Sequence, residues 1–261
     1  MRLEEALRIV DLSHVIAPSP DGLPEFMRTE VTYTDHEQGA EELGRLVGIP
    51  RKLLRNGEGP AAERLSIGTH ATTHLDAPWH YNSTIAGKPA ETIDQLPLER
   101  FFGPGVVVDA RQKEDGDAVT RDEMERAIAA TGHELAAGDI VLVHSGRDAF
   151  YDQPDYMWRG PGVSAEATQW LFDHGVRVMG IDAWGWDAPL DRQAKEAIER
   201  DEPGVFWAAH QCDLPYSQIE RLTNLGELPA TGFHVACFPL KIKGASAAPA
   251  RVVALLDLPT K

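Results

Sequence analysis

Apolar positions in the middle of the chain alternate between two spacings. Residues 105–109, 139–143 and 176–181 are short runs rich in Val and Ile, of strand length. Between them, residues 120–131 and 164–174 carry apolar side chains at helical spacing, so the order reads βαβαβ. The first helical segment opens on Thr120 with Glu123 three residues on, a capping box in which each side chain satisfies the other residue's backbone N–H, and stops at Gly132. The second opens on Ser164 and stops at Gly175. The chain closes on two more strand-like runs, 233–242 and 251–256, with no strong helical signal between them. An α/β fold with a mixed sheet and helices packed on it is therefore expected, not a purely parallel one.

Residues 1–60 differ from the rest. Their apolar runs, 9–12 and 31–33, are short and are interrupted by Pro18, Pro20, Gly22, Pro24, Gly39, Gly44, Gly48, Pro50, Gly57, Gly59 and Pro60. This segment is expected to wrap over a core built by the remainder. No internal repeat or low-complexity linker marks a boundary, so residues 1–261 are read as one domain.

Three of the ten histidines fall within eleven residues, as His70, His74 and His80, with Asp76 among them. The threonines at 69, 72 and 73 and the following Pro78 predict an extended segment over 65–76, whose period of two places His70, Thr72, His74 and Asp76 on one face. Two imidazoles and a carboxylate converging in this way suit a divalent cation such as Zn²⁺ or Mn²⁺, and three protein ligands leave positions open for chemistry. His80 lies beyond the bend expected at Pro78. It can turn back toward the same site as a proton carrier, because imidazole titrates near neutrality.

Composition narrows the function classes. The 261 residues include 41 Asp and Glu against 25 Lys and Arg, a formal charge of −16, with the basic residues scattered singly. A nucleic-acid binder needs a basic face, and none is present. No apolar run is long enough to span a bilayer, and the opening residues carry acids where a secretory signal would be basic, so a cytoplasmic protein without a membrane partner is expected. Cys212 and Cys237 lack metal-knuckle spacing and read as ordinary thiols. No G-x-S-x-G elbow, P-loop or dinucleotide G-x-G-x-x-G occurs, which disfavours serine hydrolases and nucleotide enzymes.

The segment from His70 to His80 resembles the H-x-G-T-H-x-D-x-P-x-H signature of the cyclase-like metal-dependent hydrolases, the family of the kynurenine formamidase and isatin hydrolase type. Every chemical position matches, and only the family's glycine is replaced, by Thr72. Residues 10–14 resemble the family's first strand, and residues 229–246 its closing strands. The resemblance implies a swivelling β/α/β domain, a homodimer or homotetramer, that opens an amide or lactone bond with water. It implies His70, His74 and Asp76 as metal ligands and His80 as general acid and base.

The resemblance also implies a second ion held by a later His and Glu, here His210 and Glu220, although their spacing of ten is tighter than the family's. Gln218 resembles a glutamine that isatin hydrolase sets against a single manganese, which favours one ion over two. Read without the resemblance, Gln218 and Glu220 would lie on a solvated helix face. Trp79, Trp184 and Trp186 are expected to form an aromatic wall, of which Trp79 and Trp186 are the substrate-lining candidates, suited to an aromatic amide. Asp182 and Asp187 flank these tryptophans and are given no role. The reading is thus a metal-dependent amidohydrolase for an aryl N-formyl or cyclic amide, isatin-like or N-formylkynurenine-like. The alternatives are a lactone hydrolase or a non-catalytic metal-binding member of the family.

Overall fold

The structure, a computed structural model, describes residues 7–19 and 27–257. The chain's opening residues and the breakers Pro20, Gly22 and Pro24 lie outside the described residues. The chain divides into two compact units, one formed by Met1–His14 with Thr72–Lys261 and the other by Val15–Ala71.

In the smaller unit, strands Glu30–Thr34 and Ala62–Ser66 pair antiparallel around helix α1, His36–Val47. Asp35 and Gln38 close a capping box at its start, and Gly48 ends it in the left-handed region. Gly59 runs so close to the helix that a Cβ there would meet Ala40 N at 2.2 Å and Gly39 C at 2.3 Å, so only glycine fits.

The larger unit is built on one nine-stranded sheet. Its strands, numbered along the chain, are β1 Leu7–Asp11, β2 His74–Asp76, β3 Phe102–Asp109, β4 Ile140–His144, β5 Val178–Ile181, β6 Ser217–Glu220, β7 Phe233–Ala236, β8 Ala247–Pro249 and β9 Val253–Asp257. Across the sheet they run β1-β9-β7-β3-β4-β5-β6-β2-β8. The four central strands β3, β4, β5 and β6 are parallel, and every junction outside them is antiparallel. The expected mixed sheet is what forms.

Strand alternation sends the central side chains into two cores. Val107, Ile140, Leu142, Val178 and Ile219 enter one, with Leu75, Phe101 and Val235. Val106, Val108, Val141, Val143, Met179 and Ile181 enter the other, under Met124 and Ile128 of α3 (Arg121–Thr131) and Ala167 and Leu171 of α4 (Ala165–Asp173). Each such side chain contributes about 1.5–3 kcal/mol of burial. The Thr120–Glu123 capping box and the Ser164 cap form as the sequence predicts.

Three elements differ from expectation. The segment 65–76 is not one strand: the chain turns over residues 67–73 and resumes as β2 only at His74. The run 233–242 is extended only over Phe233–Ala236, after which β8 intervenes before β9. Helix Leu190–Arg200 was not expected: six of its eleven residues are charged, only Gln193 is buried and Ile198 is exposed.

Candidate metal centre

The site follows from one strand junction. β6 and β2 pair antiparallel with Glu220 opposite His74 and Ile219 opposite Leu75, a register that continues to Gln218 opposite Asp76. Since Leu75 and Ile219 point into the first core, His74, Asp76, Gln218 and Glu220 share the other face of the sheet. All four are buried. His74 Nε2 lies 3.3 Å from Asp76 Oδ1 and 3.5 Å from Glu220 Oε2. The other ring nitrogen, Nδ1, is 2.9 Å from the carbonyl oxygen of Thr72, an acceptor that fixes the proton on Nδ1 and leaves Nε2 as the lone pair facing the carboxylates.

Pro78 opens a one-turn helix, α2 (Pro78–Tyr81), at the position where proline costs no hydrogen bond. That turn carries His80 back, with Nε2 3.9 Å from Asp76 Oδ2. The His80 side chain is 21% exposed, whereas Asp76 is fully buried, so the histidine stands between the cluster and solvent.

On the far side, His210 Nδ1 hydrogen-bonds to Asp187 Oδ2, and Nε2 lies 3.5 Å from Glu220 Oε1. Burial opposes a charge on this imidazole, but the hydrogen bonds and charges of Asp187 and Glu220 outweigh it and raise His210 to about 10. Glu220 shifts in the opposite sense: burial disfavours its charge, and the His210 hydrogen bond holds its carboxyl below the ordinary range. Its Oε1 also accepts from Trp186 N at 3.0 Å.

The donor set fits a divalent cation. One imidazole nitrogen and two carboxylates, from His74, Asp76 and Glu220, offer atoms within 4.8 Å of one another in a buried pocket. Two carboxylates this close and this buried repel unless positive charge lies between them. Gln218 adds a buried amide oxygen that accepts no hydrogen bond among the described residues. Imidazole, carboxylate and amide oxygen are ligands of the borderline and hard cations.

His70 belongs to the smaller unit, one residue before its end. The strand phase expected to join it to His74 and Asp76 is broken by the turn over 67–73. Trp79 is 44% exposed on the short helix. Trp186, expected in the aromatic wall, is fully buried in the helix-side core, its Nε1 donating to Thr168 Oγ1 at 2.9 Å. Trp184 lies under the Arg221 guanidinium, 4.7 Å from the ring centre. Gln218 and Glu220 sit on a buried strand, not on a solvated helix. Cys212 and Cys237 are free thiols, and burial pushes both up, Cys212 to about 12, away from the reactive thiolate.

Sequence reasoning missed Asp187, which orients His210, and Trp207. The Trp207 ring stacks on His210 at 4.9 Å and leans on His80 at 5.3 Å. Its backbone is left-handed, φ 59°, and is held by the Gln193 side chain, which accepts from Trp207 N at 2.7 Å. The unforeseen helix α5, Leu190–Arg200, thus contributes its one buried residue to the site. No helix among the described residues is long and apolar enough to cross a membrane.

The cyclase family model, described as "Putative cyclase", matches residues 10–188. The chain is 28% identical to an isatin hydrolase of Roseibium aggregatum over 77% of its own length and 78% of that protein's. It is 30% identical to a kynurenine formamidase of Maricaulis maris over 75% of its length and 80% of that protein's. Among solved structures, the fold matches isatin hydrolase A from Labrenzia aggregata with a TM-score of 0.75 at 24% identity, covering 97% of this chain and 94% of that one.

Proposed function

We propose, from the premise that this chain belongs to the cyclase family, that it is a metal-dependent hydrolase that opens the amide bond of an aryl N-formyl or cyclic amide. The observation that carries the reading is the convergence of His74, Asp76 and Glu220 with His80 beside them, part-exposed at 3.9 Å from Asp76. His70, His74 and Asp76 would hold the ion, with Gln218 completing the set and His210 and Glu220 closing the far side. One ion is favoured, Mn²⁺ or Zn²⁺, because His210 is already engaged by Asp187 and the Gln218 amide oxygen suits a hard cation. When bound, the ion supplies a nucleophile from water near neutral pH and polarises the carbonyl.

The chain's own residues do the rest. Hydrolysis adds water across the C–N bond, leaving a carboxylate and an amine, so one proton must reach the departing nitrogen. His80 is placed to deliver it, because it combines part exposure to solvent with a buried carboxylate 3.9 Å from its Nε2. Asp187 locks the His210 ring, and Trp207 stacked on that ring offers an aromatic wall beside His80. Trp79, exposed on the same turn as His80, is a second lining residue. In the same reading the whole chain acts as one domain of the family, a cytoplasmic homodimer or homotetramer acting on a small aromatic amide.

The test is metal content and turnover together. Chelated protein reloaded with Mn²⁺ or Zn²⁺ is expected to hold about one ion per chain and to hydrolyse isatin or an N-formyl arylamine. Failure of both ions to bind overturns the reading. Binding without turnover of any amide, but with turnover of an aryl lactone, replaces it by a lactonase.

A further inference from the structure

We propose that Tyr216 is a positioning residue that fixes the side-chain amide of Gln218 so that its oxygen, not its nitrogen, is presented to the His74–Asp76–Glu220 cluster. The inference deepens the metal-site reading above and rests on it.

The orientation follows from counting protons. Tyr216 Oη lies 2.8 Å from the carbonyl oxygen of Ala209, which can only accept, so the single hydroxyl proton is spent there. The remaining capacity of that oxygen is to accept, and Gln218 Nε2 donates to it. With the amide turned over, Oε1 would face the phenol oxygen with no proton between them, and both groups are buried beyond the reach of water. The flip is therefore determined by the network, and Oε1 is left on the other arm of the amide, buried and accepting no hydrogen bond among the described residues.

Strand phase says where that arm points. Tyr216, Gln218 and Glu220 alternate with Ser217 and Ile219, so they lie on the face that holds the cluster. An amide oxygen there is a ligand, whereas an amide NH₂ would present two donors to a cation and cost binding.

The anchor is itself held. Ala209 N donates to Asp187 Oδ1 at 3.0 Å, while Asp187 Oδ2 takes His210 N at 3.0 Å and the His210 ring. One carboxylate thus fixes His210 directly and Gln218 through Ala209 and Tyr216. The Tyr216 ring is fully buried and stacks on Tyr81 with centroids 5.1 Å apart, so the phenol cannot swing to follow a flipped amide.

The experiment is a Mn²⁺ titration read by the EPR signal of the free ion, on wild type, Tyr216→Phe, Gln218→Ala, Gln218→Glu and the Tyr216→Phe combinations. Tyr216→Phe is expected to weaken Mn²⁺ about 10- to 100-fold, the size of effect of an outer partner that orients a ligand. In the Gln218→Ala background it should add no further loss. In the Gln218→Glu background it should also cost nothing, because a carboxylate has two equivalent oxygens and needs no orienting. A loss that persists undiminished in both backgrounds marks Tyr216 as merely structural and overturns the proposal. Unchanged affinity in Tyr216→Phe alone overturns it as well. If wild type itself binds no Mn²⁺ or Zn²⁺, the metal reading has failed and this inference falls with it. If wild type binds and Gln218→Ala binds as tightly, only this inference fails. Should Tyr216→Phe not fold, a crystal structure of wild type loaded with Mn²⁺ decides: the Gln218 oxygen is expected at coordination distance, and an amide out of reach of the ion overturns the proposal.

Discussion

The carbonyl oxygen of Thr72 lies 2.9 Å from Nδ1 of His74, and it reaches that position because the Thr72 backbone is left-handed, φ 51°. A β-branched residue in that region is strained by about 1–2 kcal/mol. The carbonyl placed in this way keeps the His74 ring in the tautomer that turns Nε2 toward Asp76 and Glu220. Thr72→Gly removes the Cβ penalty and keeps the carbonyl, at the cost of greater chain entropy when unfolded. The expected outcome is a stability gain of about 0.5–1 kcal/mol with metal content unchanged, checked by urea denaturation of chelated and loaded protein. A loss of stability would show that the Thr72 hydroxyl, 3.5 Å from the His14 carbonyl, matters more than the strain.

His74 and His80 are expected to separate binding from turnover. His74→Ala removes the nitrogen that faces both carboxylates, so elemental analysis of the loaded variant should find no retained ion. His80→Ala leaves that set intact and should keep the ion while turnover falls by roughly 10²–10⁴, the usual worth of a positioned acid or base. Retained turnover in His80→Ala would move the proton-transfer role elsewhere, with His210 the next imidazole in the cluster.

Trp186 and Trp207 make opposite predictions. Trp186→Phe leaves Thr168 Oγ1 without its donor and opens space in the helix-side core, so a destabilisation of about 2 kcal/mol with unchanged KM is expected. Trp207→Ala removes the ring stacked on His210 and leaning on His80, so KM for an aryl amide should rise while the melting temperature changes little. Steady-state kinetics and thermal melts on the two variants decide between wall and core for each ring.

What was legible in the sequence was whatever had a local signature. The parallel centre of the sheet announced itself as Val-rich runs because those strands are buried on both faces, and α3 announced itself through Thr120 and Glu123. The His70–His80 motif was legible because ligand spacing compresses chemistry into eleven residues. β6 was not, because Ser217, Gln218 and Glu220 look solvated in sequence and are buried only by the strands and loops that meet them. The burial of Trp186 was not legible either: its place just after a strand end says nothing about which side of the turn the ring takes. Asp187 and Trp207 act across long sequence separations, on His210 and through Gln193, so no spacing rule reaches them.

Stability at acid pH should carry a signature of Asp109 that has nothing to do with the metal. Arg111 grips this carboxylate through two bonds, Nε to Oδ1 at 2.9 Å and Nη2 to Oδ2 at 2.6 Å, with Arg111 N donating as well at 3.1 Å. These bonds, the guanidinium's first among them, hold the carboxyl at about 2, well below its ordinary 3.8. A depressed carboxylate favours the folded state when ionised, so its contribution is fully present above about pH 4 and is lost as pH falls through 2. Both side chains are more than half exposed, so solvent screening reduces the effect to a few tenths of a kcal/mol. Asp109→Asn should therefore be slightly less stable than wild type at pH 6, and the gap should close by pH 2. It should also shrink in molar salt, which screens the charged part of the pair. Urea titrations of the two chelated proteins from pH 2 to 6 measure the gap directly. A gap that widens toward acid would mean that Asp109 carries a raised ionisation in the folded chain, contrary to its hold by Arg111.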